Sequence, residues 1–375
     1  MKKFLITILL FLLPIILLAA IPTAVLIISK ENFFKIDEII SSKKKYIIGY
    51  VYNEANYIYL KLKYLNLNER KDILALGSSR VLQFRENMFD SSFYNAGYTI
   101  VGVSDFKLFL DNVPKQKYPK YMIIGLDQWM FNKKANYYNN NSINSWKNSL
   151  NFFPKPESYF NIYKDLITKK YSFITLADND SINKIGLNAK INNNGFTNDG
   201  SMLYGQQINK LLNNDITAND YNYEDTYYEI DRIKNKGRFA YGDSVDNIAL
   251  LELTELLEFC NLNKIKVIAF FPPFADKVYQ KLSENGNYNY LNELSYKIKP
   301  LFDKYGFELY NFPTVSSCGS SDSETIDGFH GGEVTYQRIL LRMLESGSTL
   351  NEVADINRIK KDLLNRKNNY QIYNH

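Results

Sequence analysis

The chain opens on an unbroken apolar run and then changes character. From Phe4 to Ser29 (FLITILLFLLPIILLAAIPTAVLIIS) no residue is charged, and the run exceeds the roughly 20 apolar residues that cross a bilayer as a helix. Further on, short continuous apolar runs occur at Asp72–Leu76, Tyr121–Leu126 (YMIIGL), Lys266–Phe271 (KVIAFF) and Phe307–Tyr310 (FELY). Such runs suit strands buried on both faces of a parallel sheet. Helical spacing separates them at Phe106–Leu110, Ile248–Cys260 and Tyr290–Tyr305, and a last helix is predicted over Val334–Leu344. Strands alternating with helices predict an α/β domain with a parallel sheet.

Two stretches lack this rhythm. Between Asn32 and Leu67, pairs such as Ile39-Ile40 and Ile47-Ile48 predict helices that join the apolar run to the main domain, with no Gly/Pro/Ser linker. The Asn- and Tyr-rich stretch Asn132–Tyr241 shows no clear strand and is too long for an ordinary loop. It reads as a large, mainly helical insertion. The expected organisation is a transmembrane anchor over 1–30, a helical linker region over 31–70, an α/β domain over 71–345 with its insertion at about 132–241, and a polar C-terminal tail over 346–375.

Composition narrows the class. A chain of 375 residues that is 45% hydrophobic and 15% aromatic can bury a substantial core and is not disordered. The 45 basic and 40 acidic residues leave a formal charge of +5, scattered except at Lys43-Lys44-Lys45, so nucleic-acid binding is not indicated. The apolar run outlasts the ~7–15-residue core of a signal peptide, which favours an uncleaved signal anchor, although Ala19-Ala20 leaves cleavage open. Lys2 and Lys3 would stay inside and send the remainder across, while Lys30, Lys35 and Lys43 to Lys45 blur that asymmetry. The expectation is a single-pass protein of the cytoplasmic membrane with an extracytoplasmic domain. Cys260 and Cys318 are too few for a disulfide framework. Cys260 reads as a core thiol, and one bridge between the two stays open.

The chain has two histidines, and His375 ends a polar tail, so histidine chemistry falls to His330. In "TIDGFHGGEV" Asp327 precedes it by three residues. A carboxylate there can accept the imidazole Nδ1–H and leave Nε2 as a general base; the plainer reading is a helix-capping loop with an incidental surface histidine. In "ILALGSSRVLQF" Ser78 and Ser79 sit where a strand stops and a helix starts. A serine there is exposed in the crevice where open α/β sheets keep their sites, beside N–H groups suited to an oxyanion. It can equally be a helix cap. Cys318 in "SSCGSSDSE" lacks the strand-to-helix setting of a nucleophile. A zinc site would have to rest on carboxylates alone, and no Gly-rich phosphate loop follows a strand, so neither metal nor cofactor is expected.

The order of these segments resembles the SGNH (GDSL-type) hydrolase superfamily. Its Gly-Asp-Ser block matches Gly77-Ser78-Ser79 with Ser79 as nucleophile, and its Asp-x-x-His block matches Asp327 and His330. The resemblance places the second-block oxyanion glycine at Gly97, in "FYNAGYTIVG", and the third block, Gly-x-Asn-Asp, at "GLDQ". There the chain departs from the pattern: Asp127 stands where the family keeps an oxyanion asparagine, and a carboxylate repels a developing oxyanion unless it is neutral or turned away. Gln128 supplying an amide and Arg80 pairing with Asp127 are two open ways round this. The resemblance covers Asp72–Leu344 in block order and implies a three-layer α/β/α, flavodoxin-like sheet.

The layout is similar to membrane-anchored members of that superfamily that act in D-alanylation of lipoteichoic acid and acetylation of alginate. The segments "AFFPPF" (Ala269–Phe274) and "GFTNDGSMLYG" (Gly195–Gly205) look like parts of such proteins. The resemblance implies serine-dependent acylation of a cell-envelope polysaccharide through an acyl-serine, with a multi-pass membrane O-acyltransferase as partner. The alternatives are a carbohydrate or lipid esterase, or a non-catalytic envelope assembly protein that retains the fold.

Overall fold

Apolar runs of four to six residues become strands where both faces are covered. In the computed structural model, which describes residues 2–32, 36–54, 57–135, 154–177 and 182–374, the strands in chain order are β1 (Tyr46–Ile48), β2 (Ile73–Leu76), β3 (Phe93–Ala96), β4 (Tyr121–Gly125), β5 (Asn183–Ile185), β6 (Asn194–Phe196), β7 (Met202–Tyr204), β8 (Lys266–Phe271) and β9 (Glu308–Asn311). The chain divides into two compact units, one comprising 1–60, 143–198 and 202–206, the other 61–142, 199–201 and 207–375.

In the second unit β2, β3, β4, β8 and β9 form one sheet in the order β3-β2-β4-β8-β9, every pair parallel. Counted along this unit alone the order is 2-1-3-4-5, a doubly wound arrangement whose direction reverses between β2 and β4. Alternation along the strands puts Ile73, Ala75, Tyr121, Ile123, Ile268 and Phe270 on one face. They share a core with Tyr336, Ile339, Leu340 and Met343 of the helix Glu333–Glu345. On the other face the helix Asn247–Leu262 packs on β8, and its neighbours Val103–Asp111 and Tyr290–Asp303 pack against it. The four strands expected from the sequence form within one residue of their expected bounds. β3 was not expected: Asn95 interrupts its apolar run, and the Asn95 carboxamide is spent on the Val81 and Phe84 carbonyls at 2.8 and 3.1 Å.

The other unit corrects two expectations. The 31–70 region is not wholly helical, because Ile47 and Ile48 lie in β1. The 132–241 stretch is not a strandless insertion, because it supplies β5, β6 and β7 to a sheet of order β5-β1-β6-β7. Each of these strands is three residues long, too short to show a two-residue alternation. Within the same stretch 136–153 and 178–181 lie outside the described residues, as does His375. Glu31 ties this unit's turns together: its Oε1 accepts the N–H groups of Val51, Tyr52 and Asn53 at 2.8, 2.6 and 3.2 Å, and its Oε2 accepts that of Leu187 at 2.7 Å. The unit begins with the helix Lys2–Ile28, of which Ile6–Ile28 is long and apolar enough to cross a membrane.

The 346–375 tail is also not merely polar. Its helix Ile356–Leu364 buries Ile359 and Leu363, and Ile372 is buried too. The chain is drawn back by Glu333, whose Oε1 accepts Arg85 Nε at 2.7 Å while its Oε2 accepts the N–H groups of Ile372 and Tyr373 at 2.7 and 3.1 Å. Glu333→Gln turns an amide NH2 toward one of these donors and removes the Glu333 charge from the buried Arg85 pair. The expected loss of stability is about 3–5 kcal/mol, read as a lower urea midpoint.

Candidate active site

β2 stops at Leu76, and the chain turns at the carboxyl edge of the sheet, beside the reversal in strand order. Ser78 caps the turn Ser79–Val81, its hydroxyl accepting Arg80 N–H at 3.1 Å. Ser79 is thereby left at the rim, partly exposed, with its Oγ 2.7 Å from His330 Nε2. His330 Nδ1 lies 2.7 Å from Asp327 Oδ2. Asp327 Oδ1 accepts the backbone N–H groups of Phe329 and His330 at 3.0 and 2.8 Å, so the three-residue spacing closes into a loop that presents acid and base together. Burial pushes the Asp327 carboxyl up, but the His330 imidazole, its hydrogen bond and the two N–H groups outweigh burial and hold it below its ordinary value of 3.8.

Arg80, next to the candidate nucleophile, is fully buried. Its Nε donates to Phe329 O at 2.8 Å, its Nη2 to Pro272 O and Pro273 O at 2.6 and 2.7 Å, and its Nη1 to Gln128 Oε1 at 2.8 Å. Nη1 also reaches Asp127 Oδ1 at 3.4 Å. The guanidinium plane lies over the Trp129 and Phe274 rings, 5.0 and 4.7 Å from their centroids. Asp127 itself is buried at the end of β4, and its Oδ2 has no hydrogen-bond partner among the described residues. Burial pushes its carboxyl up against the pull of Arg80. The Gln128 side chain is buried, its amide nitrogen donating to Pro272 O at 2.8 Å and its amide oxygen accepting from Arg80.

No protein-family model matches the chain, and no curated protein matches it. The reading of the site therefore rests on its own geometry, which brings Ser79, His330 and Asp327 together and sets Asp127 beside them.

Gly97 is a correction. Its N–H, expected to line an oxyanion hole, donates to Asn95 Oδ1 at 2.8 Å. Its lack of a side chain serves packing instead: a Cβ there would stand 2.7 Å from Val81 Cγ2, and one at Gly77 would stand 2.8 Å from Val81 Cγ1. Gly125 faces Val81 more closely still. The glycines of the three blocks thus form a socket for Val81, two residues past Ser79. The backbone N–H of Ser79 makes no hydrogen bond among the described residues. The cysteines take no part and are not bridged: both are buried and free, and burial pushes each thiol up to about 12.

Asp220 was missed. From the stretch 207–241 its Oδ2 accepts Gly328 N–H at 2.9 Å, inside the Asp-x-x-His loop, and its Oδ1 accepts Thr226 N–H at 2.8 Å. Its only sequence signal is an Asp ahead of a helix start in a stretch with no other legible element.

Two outcomes check this geometry. Lysine cannot reach four neutral acceptors from one planar head, so Arg80→Lys should lower stability by about 3–5 kcal/mol, measured by denaturant unfolding, and slow labelling of Ser79 by a fluorophosphonate. Because the Asp327 carboxyl is held below its ordinary value, its contribution to stability is complete above that value and is lost as pH falls through the lower folded value. An Asp327→Asn chain should therefore differ from the unsubstituted one in stability at neutral pH and converge with it in strong acid.

Proposed function

We propose that this protein is a membrane-anchored serine acyl-transfer enzyme of SGNH type that acts outside the cytoplasm on a cell-envelope glycan. The proposal rests first on one observation, the continuous Ser79–His330–Asp327 hydrogen-bond chain at the carboxyl edge of the sheet. His330 Nε2 takes the Ser79 proton as Oγ attacks the carbonyl carbon of an acyl ester. Asp327 keeps Nδ1 protonated and stabilises the imidazolium. The tetrahedral oxyanion is met by Ser79 N–H. Its collapse breaks the ester C–O bond, and His330 returns the proton to the leaving alcohol, which leaves an acyl-serine. A sugar hydroxyl then gives its proton to His330 and attacks the acyl carbon, and Ser79 departs with that proton.

The glycan acceptor and a multi-pass acyltransferase as donor partner follow from the resemblance of the anchor and motif order. Asp127 supports transfer over hydrolysis, because a buried carboxyl beside the oxyanion weakens attack by free water, whereas a positioned acceptor gains its rate from proximity.

In cells, Ser79→Ala should remove an acyl modification from the envelope glycan, detected by chemical analysis of the polymer. Unchanged acylation would sink the proposal. In vitro, Asp127→Asn should raise hydrolysis of a small activated acetyl ester about a hundredfold, the worth of one added oxyanion donor. The amide oxygen can keep the Arg80 contact, and the amide N–H takes the place of the unpartnered Oδ2. Ser79→Ala in the same background should abolish that activity.

A further inference from the structure

The apolar helix runs on through Pro14 and Pro22, and Pro22 has no N–H to give to Leu18 O four residues earlier. An orphaned carbonyl inside a bilayer is costly and needs a partner within the protein. The partner is the hydroxyl of Tyr163, which donates to Leu18 O. One turn earlier in the same short helix, Pro156–Ile167, Tyr159 OH lies 3.1 Å from Thr23 Oγ1. Below these polar contacts Val25 and Leu26 share a core with Ile162, Tyr171, Leu176 and Leu187. The helix Pro156–Ile167 and the following Phe173–Ala177 therefore pack along the carboxyl end of the apolar helix.

Depth follows from exposure. Large apolar side chains of the first helix stand exposed from Phe4 to Ile21; Val25 and Leu26 are then covered by protein, and Ile27 and Ile28 at the helix end are exposed again. At 1.5 Å per residue, Phe4 to Ile21 measures about 26 Å, close to the hydrocarbon thickness of a bilayer. The boundary of that layer then falls near Ile21, and the Tyr163–Leu18 contact lies about 5 Å inside it.

Beside the Tyr163 face that meets the anchor, Phe160 is 75% exposed and Ile167 78%, and in the following helix Ile174 is 86% exposed, with Phe173 next to it. Phe160 and Ile167, seven residues apart, share one helical stripe. Lys155, Lys164, Lys169 and Lys170 are also exposed along the segment, long cations that can keep their stems in an apolar layer and their charges among headgroups.

We propose that the segment 156–177 is itself a membrane element, a re-entrant shoulder whose Phe160, Ile167, Phe173 and Ile174 side chains lie among the acyl chains of the leaflet at the carboxyl end of the anchor helix. Its occupant is lipid, because the face continues the lipid-facing surface of a helix it packs against, at a depth of about 5–10 Å typical of interfacial helices. The proposal rests on Ile6–Ile28 as a membrane span and does not depend on the chemistry of Ser79.

The test is site-directed spin labelling of the full chain in vesicles of phosphatidylethanolamine and phosphatidylglycerol. Single cysteines replace Phe160, Ile167 or Ile174, with Leu12→Cys as the marker inside the span, Leu364→Cys as the marker in water, and the unsubstituted protein, whose cysteines are buried, as the labelling blank. The three labels should lose collisions with a water-soluble nickel complex and gain collisions with oxygen, as the Leu12 label does. Nickel accessibility equal to that at Leu364 overturns the proposal, and so does exclusion of both probes, which would mean that protein covers the face. A Leu12 label open to nickel overturns the membrane span and this proposal with it. The labelled side chains are not packed inside the protein, so the substitutions leave the fold intact; an unchanged circular dichroism spectrum verifies it.

Discussion

A charged guanidinium with no access to water must have every donor satisfied or the fold loses several kcal/mol. Arg80 meets that condition with acceptors from three separate loops: Gln128 and Asp127 after β4, Pro272 and Pro273 after β8, and Phe329 in the histidine loop. Arg80 itself follows β2. One side chain thus sets the mutual positions of the loops that carry Ser79, Asp127 and His330. The two prolines assist because their fixed φ presents consecutive carbonyls without an N–H of their own to satisfy. Strong bonds to neutral oxygens leave only the 3.4 Å contact for Asp127, and this is why that carboxyl stays incompletely paired despite a cation beside it.

The candidate acid and base come as a local unit, and the nucleophile comes from elsewhere. Asp327 holds its loop by two backbone N–H groups, and the loop is pinned from outside at Gly328, whose N–H goes to Asp220 and whose carbonyl accepts Ala275 N–H at 3.0 Å. Rotation of the imidazole is restricted at Nδ1, and translation of the loop is restricted at Gly328. Catalytic geometry of this type tolerates errors of well under 1 Å, so the two restraints act on different degrees of freedom of the same ring.

Long uniform signals in the sequence carried over into the structure, and short or long-range ones did not. The parallel strands at Ile73–Leu76 and Lys266–Phe271 were readable because burial on both faces demands a continuous apolar run. So was the Asp327–His330 pair, because three residues separate them. β5, β6 and β7 were not, since three residues cannot display a period and the strand that β5 and β6 both pair with, β1, lies far away in the chain. The roles of Gly97 and Asp220 were hidden for another reason: each depends on which acceptor or donor tertiary packing brings near, Asn95 for one and Gly328 for the other. Glycine in three separate blocks has a common physical cause in Val81, which a motif comparison does not reveal.

The separation of 251 positions between Ser79 and His330 also sets a timetable. At about 5–20 residues per second, synthesis reaches the histidine roughly 10–50 s after the serine. Throughout that interval Ser79 has no His330 beside it, and the sheet stays incomplete until β9 has been made. Chain order alone thus delays the Ser79–His330 contact until after β9, the last strand of the sheet, has been made.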